Sequence, residues 1–592
     1  MAPFTVNAIA VFQCPMARPP WEPKQPSRVE LPAGHRKTPE NRTLPCDVIL
    51  EADQFVTLRD GVRIRVDVFR PKTEDKVPAL LMWSPYGKSG TGALNLDKFP
   101  LRVGIPLSRL SGYESFEGCG LPINPCSISL ISTRLDPAEW VPRGYAIVNA
   151  DARGIGDSEG DSRVWGTAEG RDGHDCVEEI AKLPWCSGKV GMAGNSWLAV
   201  TQWFVAAERP PHLACIAPFE GASDMLRETA CRGGIPDPGF AGVIKKVLWG
   251  RGDQEDNVAM LLQHPNSRKY WDDKRARMDQ IQVPAYILGS FSTALHTIGS
   301  FRGFEEILHQ KKIAVHATQE WYDLYSKSRT DDLQKFFDRY LKDKENGWEQ
   351  TPPVRLAVLG FNKPPIIDLS FDHLPWLVPC TSSTKLQRLH LAQDGTMNRI
   401  NEGSSNTLSY EGSHVLDFVY TFDHATTLVG PSRLVIHTSC PSQPDFDLYT
   451  QLQKRDAQGR ELEHINIPLE DLGVADASEV PHVNPLKYFG PTGRLRASRR
   501  KVAPELSQMH WQTLAHDADE PLAPGELVEL EVWIWPTAIQ FDAGEQLVLK
   551  VSGRNMSLPE FEFLKSEPEK CAKQVIHLGG EYESYLEVVW YT

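Results

Sequence analysis

The sequence predicts an α/β domain built on a parallel sheet and interrupted by a helical insertion, followed by an all-β domain. Three observations carry this. Short apolar runs alternate with helix-patterned segments through the first part of the chain. A polar, charged, helical stretch from about Pro236 to Asp279 breaks that alternation, as an inserted cap would. After about Pro352, short alternating runs separated by turn signals take over. A chain of 592 residues is too long for one core, and two or three domains are expected.

Residues 1–45 are rich in proline and basic side chains and read as an extended arm lying on the body. The first part of the α/β core, 46–235, opens with a hairpin over Val56–Phe69, where Asp60-Gly61 joins two alternating runs. Val77–Trp83, Tyr145–Asn149 and Val190–Met192 read as buried strands, with a helix around Asp172–Lys182. The cap is placed at 236–280. The core resumes over 281–350 with strands at Val283–Leu288 and Lys312–Val315 and a last helix over Asp332–Lys344. In 351–592, runs such as Arg433–His437, Asp447–Leu452, Leu527–Ile534 and Gln546–Val551 predict a jelly-roll sandwich.

Composition excludes several classes. The net charge is −14, so nucleic acid and anionic membrane are not expected as partners. No apolar run approaches the roughly 18–20 residues of a membrane span, and the start of the sequence lacks a signal-peptide pattern, so a cytoplasmic location is expected. The eleven cysteines are scattered, without C-x-x-C or zinc spacing, and no metal is expected. Gly154-Ile-Gly156 lacks the third glycine and the helix of a dinucleotide turn, and no cofactor is expected.

The chemistry concentrates in Lys189-Val-Gly-Met-Ala-Gly194-Asn-Ser196-Trp197-Leu-Ala199. An apolar run meets Gly194-Asn195-Ser196 and a helix pattern follows at once, which is the form of a nucleophile elbow. Glycine is needed beside the serine because the turn is tight, and the following helix offers free N–H groups to an oxyanion. The competing reading is a buried serine capping an ordinary helix.

Four segments extend the pattern: Ser84-Pro-Tyr86-Gly-Lys88, Asp151-Ala-Arg153-Gly154-Ile-Gly-Asp-Ser158-Glu-Gly160, Pro184-Trp-Cys-Ser-Gly188 and Gly194-Asn-Ser196-Trp197. Gly493-Arg-Leu-Arg496, Pro524-Gly525-Glu-Leu and Phe541-Asp-Ala-Gly544 add to it near the C-terminus. Together they resemble the CocE/NonD hydrolases, the cocaine-esterase and X-Pro dipeptidyl-peptidase type. The resemblance implies an α/β-hydrolase domain with a helical cap and a C-terminal jelly roll. It also implies a triad in the order serine, aspartate, histidine, with an oxyanion hole from a tyrosine hydroxyl, matched by Tyr86, and the N–H after the serine, matched by Trp197.

The chain departs from that pattern. Ala199 stands where the family has glycine. The strand after the cap leads into Ser290-Phe-Ser292-Thr293-Ala-Leu-His296, with no carboxylate where the aspartate is expected. The next strand leads into His316-Ala-Thr-Gln-Glu320-Trp-Tyr-Asp323. His316 is therefore the expected base, Glu320 and Asp323 are the candidate acids, and His296, the second candidate catalytic histidine, reads first as a loop or packing histidine that could pair with His316. Asp151 and Arg153 are expected in a structural ion pair or turn, and His174 and Asp175 on a solvated helix face. Trp83, Trp197 and Trp203 read as acyl-pocket walls or as core. The nearly uncharged segment 119–135 reads as an insertion or a lid.

The leading expectation is a serine hydrolase acting on an ester or amide of a small apolar acyl group. The missing aspartate keeps alternatives open: an acyltransferase or cyclase of secondary metabolism, or a pocket that works without covalent catalysis. An X-Pro exopeptidase is disfavoured because no anchor for a free amine is evident. The expected partner is a small-molecule acyl substrate, and the β domain could also offer a homodimer surface.

Overall fold

The structure, a computed structural model, describes residues 4–18, 22–88, 91–92, 105–113, 117–118, 134–266, 268–377, 383–401, 403–559 and 570–591. Its first sheet has eleven strands. In chain order these are β1 (Ser27–Leu31), β2 (Val48–Thr57), β3 (Arg63–Pro71), β4 (Val77–Ser84), β5 (Ala146–Asp151), β6 (Cys186–Asn195), β7 (Leu213–Phe219), β8 (Ala285–Ser290), β9 (Lys311–His316), β10 (Val354–Val358) and β11 (Ile366–Phe371). The spatial order is β11-β10-β9-β8-β7-β6-β4-β5-β3-β2-β1. Neighbours from β5 to β10 run parallel, and the outer strands join antiparallel.

Strand β4 shows why the centre of the sheet reads as an unbroken apolar run. All eight of its residues are buried, because both faces are covered. Ala79, Leu81 and Trp83 feed one core, shared with helices α1 (Gly166–Ala181) and α2 (Trp197–Ala207). Leu80 and Met82 point the other way, into a second core with Leu333, Phe336 and Phe337 of a later helix, Lys327–Leu341. The Asp60-Gly61 hairpin forms as expected, with Gly61 at φ 84°.

Between β7 and β8 the chain builds the cap, which includes helices α3 (Pro238–Val247) and α4 (Asn257–Gln263). Two features go beyond the expectation. The arm does more than lie on the body: Gln13–Pro15 pairs with Asp253–Glu255 of the cap, and β1 completes the sheet edge beside β2. Edge strands leave a row of open N–H and C=O groups, and the arm supplies their partners. The α/β sheet also continues past residue 350, where the β domain was expected to start, because β10 runs parallel to β9 and β11 folds back on β10. A short hairpin reads the same locally in either kind of sheet.

From Thr384–Leu391 to Tyr585–Tyr591, a second eleven-stranded sheet forms, with all its ladders antiparallel and a core of its own. Two of its strands matter below, β12 (Thr492–Arg496) and β13 (Val528–Phe541). The segment read as an insertion or lid falls, except for Arg134 and Leu135, outside the described residues. Among the described residues no helix is long and apolar enough to cross a membrane.

Candidate active site

Strand β6 ends at Asn195 and α2 begins at Trp197, leaving Ser196 alone on the turn at φ 60°, ψ −121°. A positive φ on a residue with a side chain is a strained state that the surroundings must enforce. Gly194 helps to enforce it: a Cβ there would lie 2.6 Å from Leu198 Cβ, and its φ is 130°. Gly194→Ala is accordingly expected to cost about 1–3 kcal/mol in a denaturation experiment. The methyl of Ala199 is accommodated from across the turn, where a Cβ on Gly221 would meet it at 3.0 Å.

His296 caps the N-terminus of α5 (Thr297–Glu306), just beyond β8. Its Nε2 lies 3.3 Å from Ser196 Oγ, and its Nδ1 lies 3.2 Å from Glu320 Oε2. Glu320 opens the short helix α6 (Glu320–Leu324) beyond β9. Its Oε2 also accepts a bond from Asn195 Nδ2 at 3.0 Å, and Trp321 Nε1 donates to Asn195 Oδ1 at 2.8 Å. Burial raises the Glu320 pKa, the bonded His296 opposes this, and the nearby Glu220 charge adds to it. The loop after β8 thus delivers a histidine and the loop after β9 a carboxylate, the reverse of the order the resemblance implies.

His316, the expected base, does not reach the serine. Its Nδ1 bonds the Thr318 carbonyl at 3.0 Å, and its Nε2 makes an ion-pair contact with Glu220 Oε1 at 2.7 Å. Both ring nitrogens are engaged, so neither is open to take a proton from Ser196. Burial alone would lower its pKa, but Asp323 and Glu220 outweigh that and raise it. Asp323 is held by Arg329 Nε at 2.7 Å, and its pKa stays low despite burial because Arg329 and His316 offset it. Donor atoms of Glu220, His296 and Glu320 lie within 4.8 Å of one another, the one group among the described residues with the spacing for a cation. All three already have partners in the two histidine–carboxylate pairs.

Tyr86 stands beside the serine and its hydroxyl hydrogen-bonds Ser196. Burial raises its pKa, and the Glu320 charge adds to this, so it remains a proton donor at neutral pH. Its ring meets Trp197 edge-on at 6.1 Å, and Trp165 in turn meets Trp197 edge-on at 5.9 Å. The Trp197 N–H is the first of α2 and precedes the intrahelical ladder. Trp83 and Trp203, two of the candidate pocket walls, are fully buried core instead. Trp83 Nε1 reaches the site only indirectly, by bonding Glu169 at 3.0 Å, a carboxyl that also accepts from Trp197 Nε1. Arg153 is ion-paired with Asp172 and Asp60, and Asp175 with Arg59.

Tyr86, Ser196, Trp197 and His296 open onto a cavity of about 620 Å³, a size that suits a small organic molecule. Its walls come from the cap, including Phe240 and Ile244, and from the β domain, including Tyr488 and Trp535. The β domain also grips both loops of the site. Asn484 donates to the Thr293 carbonyl, the Gln319 N–H bonds Asn466 O at 2.8 Å, and His464 Nε2 meets Ala317 O at 2.7 Å.

Two family models match the chain: X-Pro dipeptidyl-peptidase (S15 family) over residues 60–250, and X-Pro dipeptidyl-peptidase C-terminal non-catalytic domain over 346–587. A CocE/NonD family hydrolase from Staphylococcus aureus has the same fold, with a TM-score of 0.80 and 28% identity over 92% of this chain and 94% of that one. The chain belongs to the CocE/NonD family of S15-type hydrolases. This CocE/NonD hydrolase is 25% identical to the cocaine esterase of Rhodococcus sp. (strain MB1 Bresler) over 623 residues, which covers 90% of this chain and 97% of that protein. An α-amino acid ester hydrolase shares the fold with a TM-score of 0.60 at 15% identity, over 91% of this chain and 96% of that one. Sequence reasoning missed the wall residues Trp165 and Trp535, and Asn195 as a partner of the carboxylate. Only Asn195, inside the elbow motif, carried a local signal.

Proposed function

We propose that this CocE/NonD hydrolase cleaves an ester or amide of a small apolar acyl group through an acyl-enzyme on Ser196. The observation that carries the reading is the continuous chain from Ser196 Oγ to His296 to Glu320, opening on the cavity. His296 Nε2 takes the proton as Ser196 Oγ attacks the carbonyl, then returns it to the departing alcohol or amine. Glu320 keeps Nδ1 protonated and balances the imidazolium. The Tyr86 hydroxyl and the Trp197 N–H hold the oxyanion. Water then repeats the sequence on the acyl-enzyme and frees Ser196. Trp165, Trp197 and Val164 offer an apolar seat for the acyl chain.

A fluorophosphonate probe tests this. Wild-type protein is expected to be labelled and Ser196→Ala to stay unlabelled while folded; an unlabelled, folded wild type refutes the reading. Tyr86→Phe retains the ring contact with Trp197 and removes one oxyanion donor. It is expected to lower kcat on a nitrophenyl ester by about 10²–10³.

A further inference from the structure

Among the described residues, the cavity beside Ser196 holds a buried cation that no anion meets. Arg232 lines it and is only 9% exposed. Two of its N–H groups are used: Nη1 donates to Thr492 Oγ1 at 3.1 Å and Nη2 to the Thr492 carbonyl on β12. A guanidinium has five such donors. Its carbon lies 3.8 Å above the Trp535 ring on β13. The turn that carries it is clamped, since a Cβ on Gly233 would fall 2.0 Å from the Arg494 carbonyl.

Four other charged groups of the wall have counter-ions. Glu255 meets Lys274 at 2.9 Å, Lys245 meets Asp256 at 2.9 Å, Lys487 meets Glu463 at 2.8 Å and Arg494 meets Asp237 at 3.3 Å. Among the described residues, no carboxylate lies within ion-pair distance of Arg232, nor of Arg554 at the rim of the same cavity. Burial, and then the Arg494 charge, hold the Arg232 pKa well below the usual arginine range. A buried charge without a partner is costly, and a rigid planar fork with unused donors matches a carboxylate.

We infer that the substrate of this hydrolase carries a carboxylate remote from its scissile carbonyl, and that Arg232, with Arg554 at the rim, receives it. The inference rests on the serine-hydrolase reading of the same cavity. The apolar wall near Ser196 takes the reacting acyl end, and the guanidinium fixes the far end and with it the register of the carbonyl.

Two matched substrate pairs test it. The 4-nitrophenyl esters of glutarate and of glutaramate place the charge on the acyl side. The butyrate esters of 4-hydroxybenzoate and 4-hydroxybenzamide place it on the leaving side. In at least one pair, wild-type kcat/KM is expected to favour the charged member by about 10- to 100-fold. Arg232→Gln is expected to bring that ratio close to one, and Arg232→Lys to keep part of it. Neutral members turned over as fast as charged ones in both pairs would overturn the inference, and this wild-type result decides the matter even if Arg232→Gln does not fold. Failure of the chemistry is read separately: Ser196→Ala is titrated with glutarate and with 4-hydroxybenzoate, following tryptophan fluorescence. Saturable quenching by either, lost in Ser196→Ala/Arg232→Gln, supports the anion site without any turnover. Absence of quenching by both counts against it.

Discussion

His296→Ala is expected to abolish fluorophosphonate labelling of Ser196 and to lower kcat by about six orders of magnitude, the cost of losing the base from a working serine triad. The fold is expected to survive, because burial raises the Glu320 pKa, so without the ring this carboxyl can hold a proton instead of a charge while Asn195 still bonds it. His316→Ala is expected to do the opposite. It strands Glu220 as a buried carboxylate, held only by Ser290 and Thr293. Breaking such a pair costs about 3–5 kcal/mol of stability, while the fraction that remains folded still takes the label. The pH dependence follows from the sign of the shift. The His316 pKa is raised on folding, so its contribution is complete below the ordinary histidine range and fades as pH rises through the raised value. Denaturation midpoints of wild type should therefore fall faster on the alkaline side than those of His316→Ala. Labelling that survives in His296→Ala and vanishes in a folded His316→Ala would return the base to His316.

Glu320→Gln carries the second large effect, a fall of about four orders of magnitude in kcat with little change in KM. The amide can offer His296 Nδ1 a donor where a carboxylate offers only acceptors. The imidazole then takes the wrong tautomer, with its proton facing the serine. Glu320→Asp keeps the charge but shortens the reach by one methylene, and it is expected to fall between wild type and Glu320→Gln. Rates of probe labelling, measured alongside turnover, separate slower attack by Ser196 from slower release of the acyl group. Equal rates for Glu320→Gln and wild type would remove Glu320 from the mechanism and direct attention to Glu220, the other carboxylate within reach of His296.

The parts of this molecule governed by local chemistry were readable in its sequence. The unbroken apolar run of β4, the Asp60-Gly61 turn and the Gly194-Asn195-Ser196 elbow each state their conformation within a few residues. The choice between His296 and His316 has no such signal, since both follow a strand that ends at the same edge of the sheet. What separates them is the path of the β8 loop, which passes through a left-handed backbone at Ala294, φ 54°, and brings one ring down to the serine. Glu320 and His296 were both within view as candidates, but their pairing was not, because the usual order of acid and base misdirects the reading. The cavity walls were the least legible: Arg232, Thr492 and Trp535 meet only when two separate sheets pack. The end of the α/β sheet was set too early for a related reason, as the partner of β10 is β9, on the far side of a helix.

The arm gives the chain an unusual timetable. Gln13–Pro15 is made some way ahead of the sheet, yet its pairing partner, Asp253–Glu255, is made only after most of the sheet's parallel core. Until then its backbone groups have only water to bond, and Val6, Val11 and Met16, which end in the main core, stay uncovered. A nascent chain stopped shortly before residue 253 would therefore carry a loose, apolar arm, prone to pair with its neighbours.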